Sequence, residues 1–273
     1  MSFSVLMSVY NREKSEYLSK ALDSIIQQTL QPDEIVLIKD GPLSDELENV
    51  IEEKRKVYSQ FVTYQFDKNV KLGRALSKGI ELCQYDLVAR MDTDDIAVED
   101  RFSVQYQYMT NHPEISACGG WIREFNTAGT YGKVKKMPED VENIRKYARY
   151  RNPLNHMTVM FRKDAVFNAG NYRHFPFLED YDLWSRMLSK GYKFENLQKV
   201  LVEARTEENI YTRRGGLQYC KNYISLRKQQ YDLGLLKKNE YVVAVVLTLI
   251  MTLQPSTFRK HIYQKVLRKK GSC

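Results

Sequence analysis

The sequence predicts an α/β fold, a central and mostly parallel sheet flanked by helices, carrying a helical extension at its C-terminal end. Three observations predict it. Short apolar runs alternate with stretches of helical apolar spacing through the first hundred residues. Each apolar run ends in a polar, turn-forming tip. The composition, 43% hydrophobic over 273 residues, is that of a globular protein with a sizeable core. Such alternation favours parallel strands, because a parallel pair needs a crossover and a helix supplies one.

"FSVLMSVY" (3–10) reads as the first strand, and Leu18, Ala21, Leu22, Ile25 and Ile26 then fall at helical spacing. "EIVLIKDG" (34–41) is a second strand. "SDELENVIEEKRKVY" (44–58) is a helix with an acidic first turn behind a Ser cap. "FVTYQF" (61–66) is a third strand, "GRALSKGIELC" (73–83) a helix, and "YDLVARMD" (85–92) a fourth strand. Beyond Arg101 the pattern predicts helix for "RFSVQYQYMTN", strand for "EISACGGWIREF", helix for "PEDVENIRKYARY" and strand into helix for "HMTVMFRKDAV". "LEDYDLWSRMLSKGY" (178–192) is a helix with Leu183, Met187 and Leu188 on one face and Gly191 as its stop. In parallel sheets ligands collect beyond the carboxyl ends of the strands. The tips "YNRE", "KDGP", "DKNVKLGR" and "DTDD" should therefore face one crevice.

The formal charge of +8 is unevenly distributed. Residues 201–273 hold 14 Lys+Arg against 5 Asp+Glu, which leaves the first 200 residues at −1. A basic end on a neutral body does not describe a general polyanion-binding surface. The 19 tyrosines are dispersed rather than interleaved with the basic cluster, which weighs against a nucleic-acid-binding protein. Four scattered cysteines without a CxxC pair, and no basic-apolar leader, point to a reduced, cytoplasmic protein. "YVVAVVLTLIMTL" (241–253) is too short to cross a bilayer, for which about 20 apolar residues are needed. Two readings of the 241–270 region stay open: a buried or homo-oligomer-forming helix, or peripheral attachment to the inner face of the cell membrane through the helix and the six Lys+Arg between Arg259 and Lys270.

"LVARMDTDDIAVEDRF" (87–102) sets Asp92, Asp94 and Asp95 within four positions after a buried-strand pattern. Like charges this close ask for a positive partner. Mg²⁺ in particular is held by one or two carboxylates together with substrate phosphates. A capped turn leading into the next helix would explain the same letters. An EF-hand loop is excluded, since Ile96 and Ala97 stand where Asp or Asn and Gly are required. An aspartate-nucleophile phosphatase is disfavoured by the motif's place after the fourth strand.

"SVLMSVYNRE", "IVLIKDG", "NVKLGRALSKGIELCQYDLVARMDTDD" and "FLEDYDLWSRM", in this order and spacing, resemble the family 2 glycosyltransferases of the GT-A fold, in the type that builds bacterial cell-surface polysaccharides and glycoconjugates. The resemblance runs from about residue 3 to about 215. It implies a GT-A, Rossmann-like nucleotide-diphospho-sugar transferase domain over 1–215, with a nucleotide-binding half (1–100) and an acceptor half (101–215), and leaves 216–273 as a helical basic extension. It further implies that Val9 and Tyr10 line the nucleotide base, that Asp40 bonds to it, and that Arg74 helps hold the nucleotide. Asp92 would meet the ribose or the metal, and Asp94 would ligate the Mn²⁺ or Mg²⁺ through which the diphosphate binds. Asp40 before Gly41 is also a good turn residue, and Arg74 also fits a solvated helix start.

By the same resemblance Asp180 in "LED" is the catalytic base, with Glu179, His156 and Trp184 on the acceptor side. Proton transfer and leaving-group stabilisation are separate tasks and sit on separate elements here. Acidic residues also suit a helix N-terminus for electrostatic reasons, which accounts for Asp182. His156 equally fits a structural hydrogen-bonder. The sequence departs from the family pattern in "VLVEARTEENIYTRRGG", where a metal-completing histidine is absent. Arg213 and Arg214 either steady the diphosphate or face solvent. The implied function is an inverting, metal-dependent glycosyltransferase moving a sugar from a nucleotide-diphosphate sugar, a UDP-sugar by preference, to a glycan, lipid-linked oligosaccharide or glycoprotein acceptor. A sugar-phosphate nucleotidyltransferase is the alternative, opposed by the lack of glycine in "VYNREKSE".

Overall fold

The computed structural model describes residues 2–126, 128–206 and 215–254. β1 (Phe3–Val9), β2 (Glu34–Lys39), β3 (Phe61–Gln65) and β4 (Leu87–Arg90) are joined by α1 (Ser15–Ile26), α2 (Asp45–Val57) and α3 (Leu72–Leu82). All four strands are parallel, in the order β3-β2-β1-β4. The second half adds β5 (Ile96–Ala97), α4 (Arg101–Asn111), β6 (Ile115–Phe125), β7 (Tyr131–Lys135), α5 (Val141–Tyr147), β8 (Met160–Arg162), α6 (Lys163–Asn168), α7 (Glu179–Ser189) and β9 (Lys193–Arg205). It extends the same sheet through β8, β6, β9 and β5, with β7 paired to β6. β6 and β9 run with the first four strands, whereas β8, β7 and β5 run against them. The fold is thus the expected α/β type with a mostly parallel sheet.

Each central strand divides its side chains between two cores, as the period of two dictates. Phe3, Val5, Met7, Ile35 and Leu37 pack under α1, α2 and α4. Leu6, Val36 and Ile38 pack on the opposite face with Leu76, Ile80 and Trp184. Burial on both faces is why these strands read as unbroken apolar runs rather than as alternating ones.

Some local expectations are refined. The fourth strand ends at Arg90, two residues short of the expected end, with Met91 N–H making a last bond to Leu6 O (3.1 Å) before the chain turns. That frees residues 92–95 to form a loop. Ser44 does stand at the start of α2, but its side chain makes no capping bond. α5 is shorter than the 138–150 pattern, since it begins only at the cap Asp140, whose Oδ1 accepts from Asn143 N–H (2.9 Å). Gly191 ends α7 with φ +86°.

The extension, α8 (Leu217–Asp232) and α9 (Lys238–Leu253), is bound tightly to the acceptor half. Leu226 packs with Leu178 and Tyr181. The Arg227 guanidinium donates to Arg149 O (3.0 Å), Tyr150 O (2.6 Å) and the Tyr181 hydroxyl (2.9 Å). Arg149 pairs with Glu240 at the start of α9 (2.7 Å). α9 is seated by its small residues, Ala244, Thr248 and Thr252, which recur every fourth position and are buried. The threonine hydroxyls donate to the carbonyls one turn back (2.8 and 2.7 Å), so burying them strands no donor. Val242, Val243, Val246, Leu247, Leu249, Ile250 and Leu253 are all exposed. Of the two readings, only burial within this chain is corrected: the apolar side of α9 faces outward, as either an oligomer-forming or a membrane-attached helix requires. No helix among the described residues is long and apolar enough to cross a membrane. Residues 255–270 of the basic tail lie outside the described residues.

Candidate active site

The four strand tips meet, as parallel order requires. The Asp40 carboxylate, after β2, accepts from Val70 N–H (2.6 Å) and Asn69 Nδ2 (2.8 Å) in the loop after β3. Gly41 follows with φ +98°, where a Cβ would stand 2.9 Å from Asn69 N. Thr93, after β4, donates to the Glu13 carboxylate after β1 (2.8 Å). One crevice therefore runs along the carboxyl edge of the sheet.

Asp92, Asp94 and Asp95 occupy the turn after β4, each with a carboxylate oxygen within 4.8 Å of the others. The turn is clamped from β9. Arg205 N–H donates to Asp95 (2.7 Å) and Arg205 Nε to the Asp94 carbonyl (3.0 Å), while its guanidinium lies over the Tyr17 and Phe125 rings. Burial, followed by the neighbouring charges of Asp92 and Glu13, pushes the Asp94 carboxyl up to about 7. Burial, followed by the charges of Asp94 and Asp92, likewise holds the Asp95 carboxyl well above the usual carboxylate range. Arg90, 1% exposed, forms an ion pair with Asp92. One such pair leaves the cluster short of positive charge, and an all-oxygen donor set fits a hard divalent cation. Asp92 and Asp94 were the expected ligands, and Asp95 joins them within reach.

Asp180 stands on the first turn of α7. Its Oδ2 accepts from Asn152 Nδ2 (2.6 Å) and its Oδ1 from Tyr181 N–H (2.7 Å). Burial raises its pKa, and these two donors oppose the rise by stabilising the ionised form. Gly73, in the first turn of α3, fixes where α7 begins: a Cβ there would fall 2.1 Å from Arg173 O and 3.3 Å from Glu179 Cβ. Arg90 connects the two acidic groups. Besides pairing with Asp92, its charge bears on Asp180, Glu179 and His156. Its Nε and Nη1 have no partner among the described residues. The buried guanidinium that pairs with Asp92 thus also favours the ionised form of Asp180 through its charge. A cavity of about 560 Å³ opens beside Asp180, and its walls include Asn152, His156, Tyr181 and, from the extension, Leu247 and Met251.

The other expected site residues fare unevenly. Tyr10 is exposed at the first tip, but the Val9 side chain is wholly buried, so a ligand in the crevice meets Tyr10 and not the Val9 side chain. Arg74 is exposed on the first turn of α3, at the third tip. Trp184 is a correction: fully buried against Phe161 and Phe194, it has no surface for an acceptor and serves the core. His156 lines the cavity, with Nε2 bonded to the Tyr172 hydroxyl (2.8 Å), and burial depresses its pKa. Arg213 and Arg214 lie outside the described residues. Sequence reasoning missed Glu13, Arg90 and Asn152, which show their relevance only through contacts between distant segments.

Glu179 carries a consequence for stability. Burial raises its carboxyl from 4.5 to about 7, so the folded state prefers it protonated. Its burden is absent below about pH 4.5, grows as pH rises, and is complete above about 7. Glu179→Gln should therefore stabilise the fold at pH 8 by on the order of 1–2 kcal/mol, discounted for partial exposure, and do little at pH 5. Calorimetric melting at both pH values checks this, and an equal gain at each would contradict it.

A mostly parallel sheet with four tips in one crevice, an acidic cluster at the fourth and a carboxylate at an adjoining cavity defines a GT-A nucleotide-sugar transferase. The model for "Glycosyl transferase family 2" matches residues 4–174, and the chain belongs to that family. It is 41% identical to the amylovoran biosynthesis glycosyltransferase AmsE of Erwinia amylovora, over 96% of this chain and 98% of that one. It is 35% identical to the UDP-Gal:alpha-D-GlcNAc-diphosphoundecaprenol beta-1,3-galactosyltransferase of Escherichia coli, over 98% and 97%. The fold matches that of S. aureus TarS 1–349 in complex with UDP-GlcNAc at a TM-score of 0.70, with 16% identity, over 99% of this chain and 78% of the other. It also matches the mannosyltransferase PcManGT from Pyrobaculum calidifontis, solved with GDP-Man and Mn²⁺, at 0.65 and 10% identity, over 99% and 82%. The chain is a family 2 glycosyltransferase that uses a nucleotide sugar, which decides against the nucleotidyltransferase alternative.

Proposed function

We propose that the protein transfers a sugar, with inversion, from a UDP-sugar to a hydroxyl of a lipid-linked or other glycan acceptor in bacterial cell-surface polysaccharide assembly, with Mn²⁺ or Mg²⁺ bound. What supports this is the clustering of Asp92, Asp94 and Asp95 at the fourth strand tip, the acceptor-sized cavity lined by Asp180, and the buried guanidinium of Arg90, which pairs with Asp92 and whose charge favours the ionised Asp180. Tyr10, Asp40 and Arg74 hold the nucleotide. Asp92 and Asp94, with Asp95 behind them, hold the cation, which when bound neutralises the donor's diphosphate. Asp180 Oδ takes the proton of the acceptor hydroxyl. The acceptor's own oxygen then bonds to the anomeric carbon as the bond to the diphosphate oxygen breaks on the opposite face, and UDP leaves. Asn152 keeps the carboxylate aimed and ionised, while Glu179 and His156 line the acceptor side. A UDP donor and a lipid-linked acceptor are favoured by the named relative that joins UDP-Gal to a diphosphoundecaprenol-linked sugar. The exposed apolar face of α9 suits work at the cytoplasmic surface of the membrane; self-association through that face is the second reading. Release of UDP from a panel of UDP-sugars, with Mn²⁺, with Mg²⁺ and with chelator, tests the proposal. At least one donor should give metal-dependent release, and no release or binding with any of them would overturn it.

A further inference from the structure

The extension was expected to lie outside the catalytic unit, yet α9 supplies part of the wall of the cavity that contains Asp180. Ala244, Leu247, Thr248, Met251 and Thr252 face that cavity from α9. Of these Leu247 is 47% exposed, so it belongs both to the cavity rim and to the outward apolar face with Val243, Val246 and Ile250. Leu247 thus joins the outward apolar face of α9 to the rim of the cavity that Asp180 lines. Arg151 lines the same cavity. Its guanidinium stacks on the Tyr147 ring (5.2 Å) and has no carboxylate partner among the described residues. Arg227, also in the wall, is 3% exposed, and its Nε has no partner among the described residues.

An apolar rim, a cation without a counter-ion among the described residues and a proton-accepting carboxylate in one cavity suit a ligand with three matching parts. We infer that α9 is the tail track of the acceptor site: a sugar joined through phosphate to a long apolar chain places its hydroxyl at Asp180, its phosphate at Arg151 and its chain along Leu247, Met251 and the outer face of α9. This rests on the acceptor reading of the Asp180 cavity given above. It goes further in making the C-terminal helix a part of the substrate site, with Arg151 and Leu247 as specificity-determining residues. A planar guanidinium beside an aromatic ring is well suited to phosphate oxygens, and a chain leaving water against the exposed leucine, valines and isoleucine gains free energy in proportion to the area covered.

The test uses farnesyl diphosphate, a soluble molecule with a charged head and an apolar chain, titrated calorimetrically into the full chain. UDP and Mg²⁺ are held at saturation so that the donor crevice is filled. Farnesyl diphosphate should bind at least about tenfold more tightly than either inorganic diphosphate or farnesol. Arg151→Ala and Leu247→Glu should each weaken it by about tenfold or more. Leu247 is half exposed, so the glutamate does not threaten the fold, and the melting temperature of each variant verifies this. Wild-type affinity in both variants would overturn the inference, as would equal affinity for inorganic diphosphate. So would a concentration-dependent dimer that Leu247→Glu dissociates while farnesyl diphosphate binding is untouched, because the face would then belong to a second copy. The two proposals fail separately: a protein that binds the lipid diphosphate through these residues but releases UDP from no donor would sink the enzymatic reading and leave the tail track standing.

Discussion

Asp180→Asn should bind sugar nucleotide as the wild type does while transfer to acceptor falls by about two to four orders of magnitude, the usual scale for loss of an acid-base group. The substitution keeps the shape and the Tyr181 N–H contact but removes the proton-accepting charge. It also sets two amide groups face to face with Asn152, whose Nδ2 now donates to Oδ2 at 2.6 Å. Donor affinity and turnover are read independently, by titration with UDP and by radiolabelled transfer. Turnover within a factor of a few of wild type would remove Asp180 from the role of base.

The second large effect is expected at Asp94. Asp94→Ala should abolish most metal-dependent donor binding, with the apparent affinity for UDP in Mn²⁺ approaching that of the wild type in chelator. A ligand-deficient divalent site typically loses affinity by about 10- to 100-fold or more, by analogy with the losses seen when even outer partners of a metal site are removed. The variant should not be less stable. Burial and the charges of Asp92 and Glu13 hold the Asp94 carboxyl near 7 in the metal-free chain, so alanine relieves repulsion rather than breaking a favourable pair. Melting without metal should therefore be unchanged or higher, and melting with Mn²⁺ and UDP should no longer rise. Full activity of Asp94→Ala, or of the wild type in chelator, would contradict the metal reading.

The nucleotide half was largely visible in the sequence, because strand and helix periodicities are local properties and the crossover rule then fixes the direction of β1 to β4. The tips and the aspartate cluster were legible for the same reason, since each sits at a boundary between two periodic segments, whereas Asp40 and Asp180 were singled out only through the family resemblance. What escaped depended on distant pairing. Glu13 meets Thr93 across 80 positions, and Asn152 reaches Asp180 across 28. Arg90 ends an ordinary strand pattern, and nothing local marks it as the cation between two acidic groups. Trp184 was misplaced because it shares a motif with Asp180, but one turn further along α7 the helix has entered the core. For α9 the decisive signal was present and outweighed. Ala244, Thr248 and Thr252 mark the seat by their spacing of four, while the surrounding valines and leucines suggest burial from every side.

The nucleotide role proposed for Asp40 would join recognition to architecture in one side chain. Its carboxylate is occupied by Val70 N–H and Asn69, which tether the loop holding Lys71 at φ +76°. Under the proposed contact between Asp40 and the base, exchanging Asp40 would unfasten that loop at the same time, so a change of nucleotide made there would also disturb the loop after β3. Tyr10 carries no such duty: its ring projects from the first tip with no hydrogen bond to another described residue. Attempts to re-educate the enzyme toward a different nucleotide should begin at Tyr10.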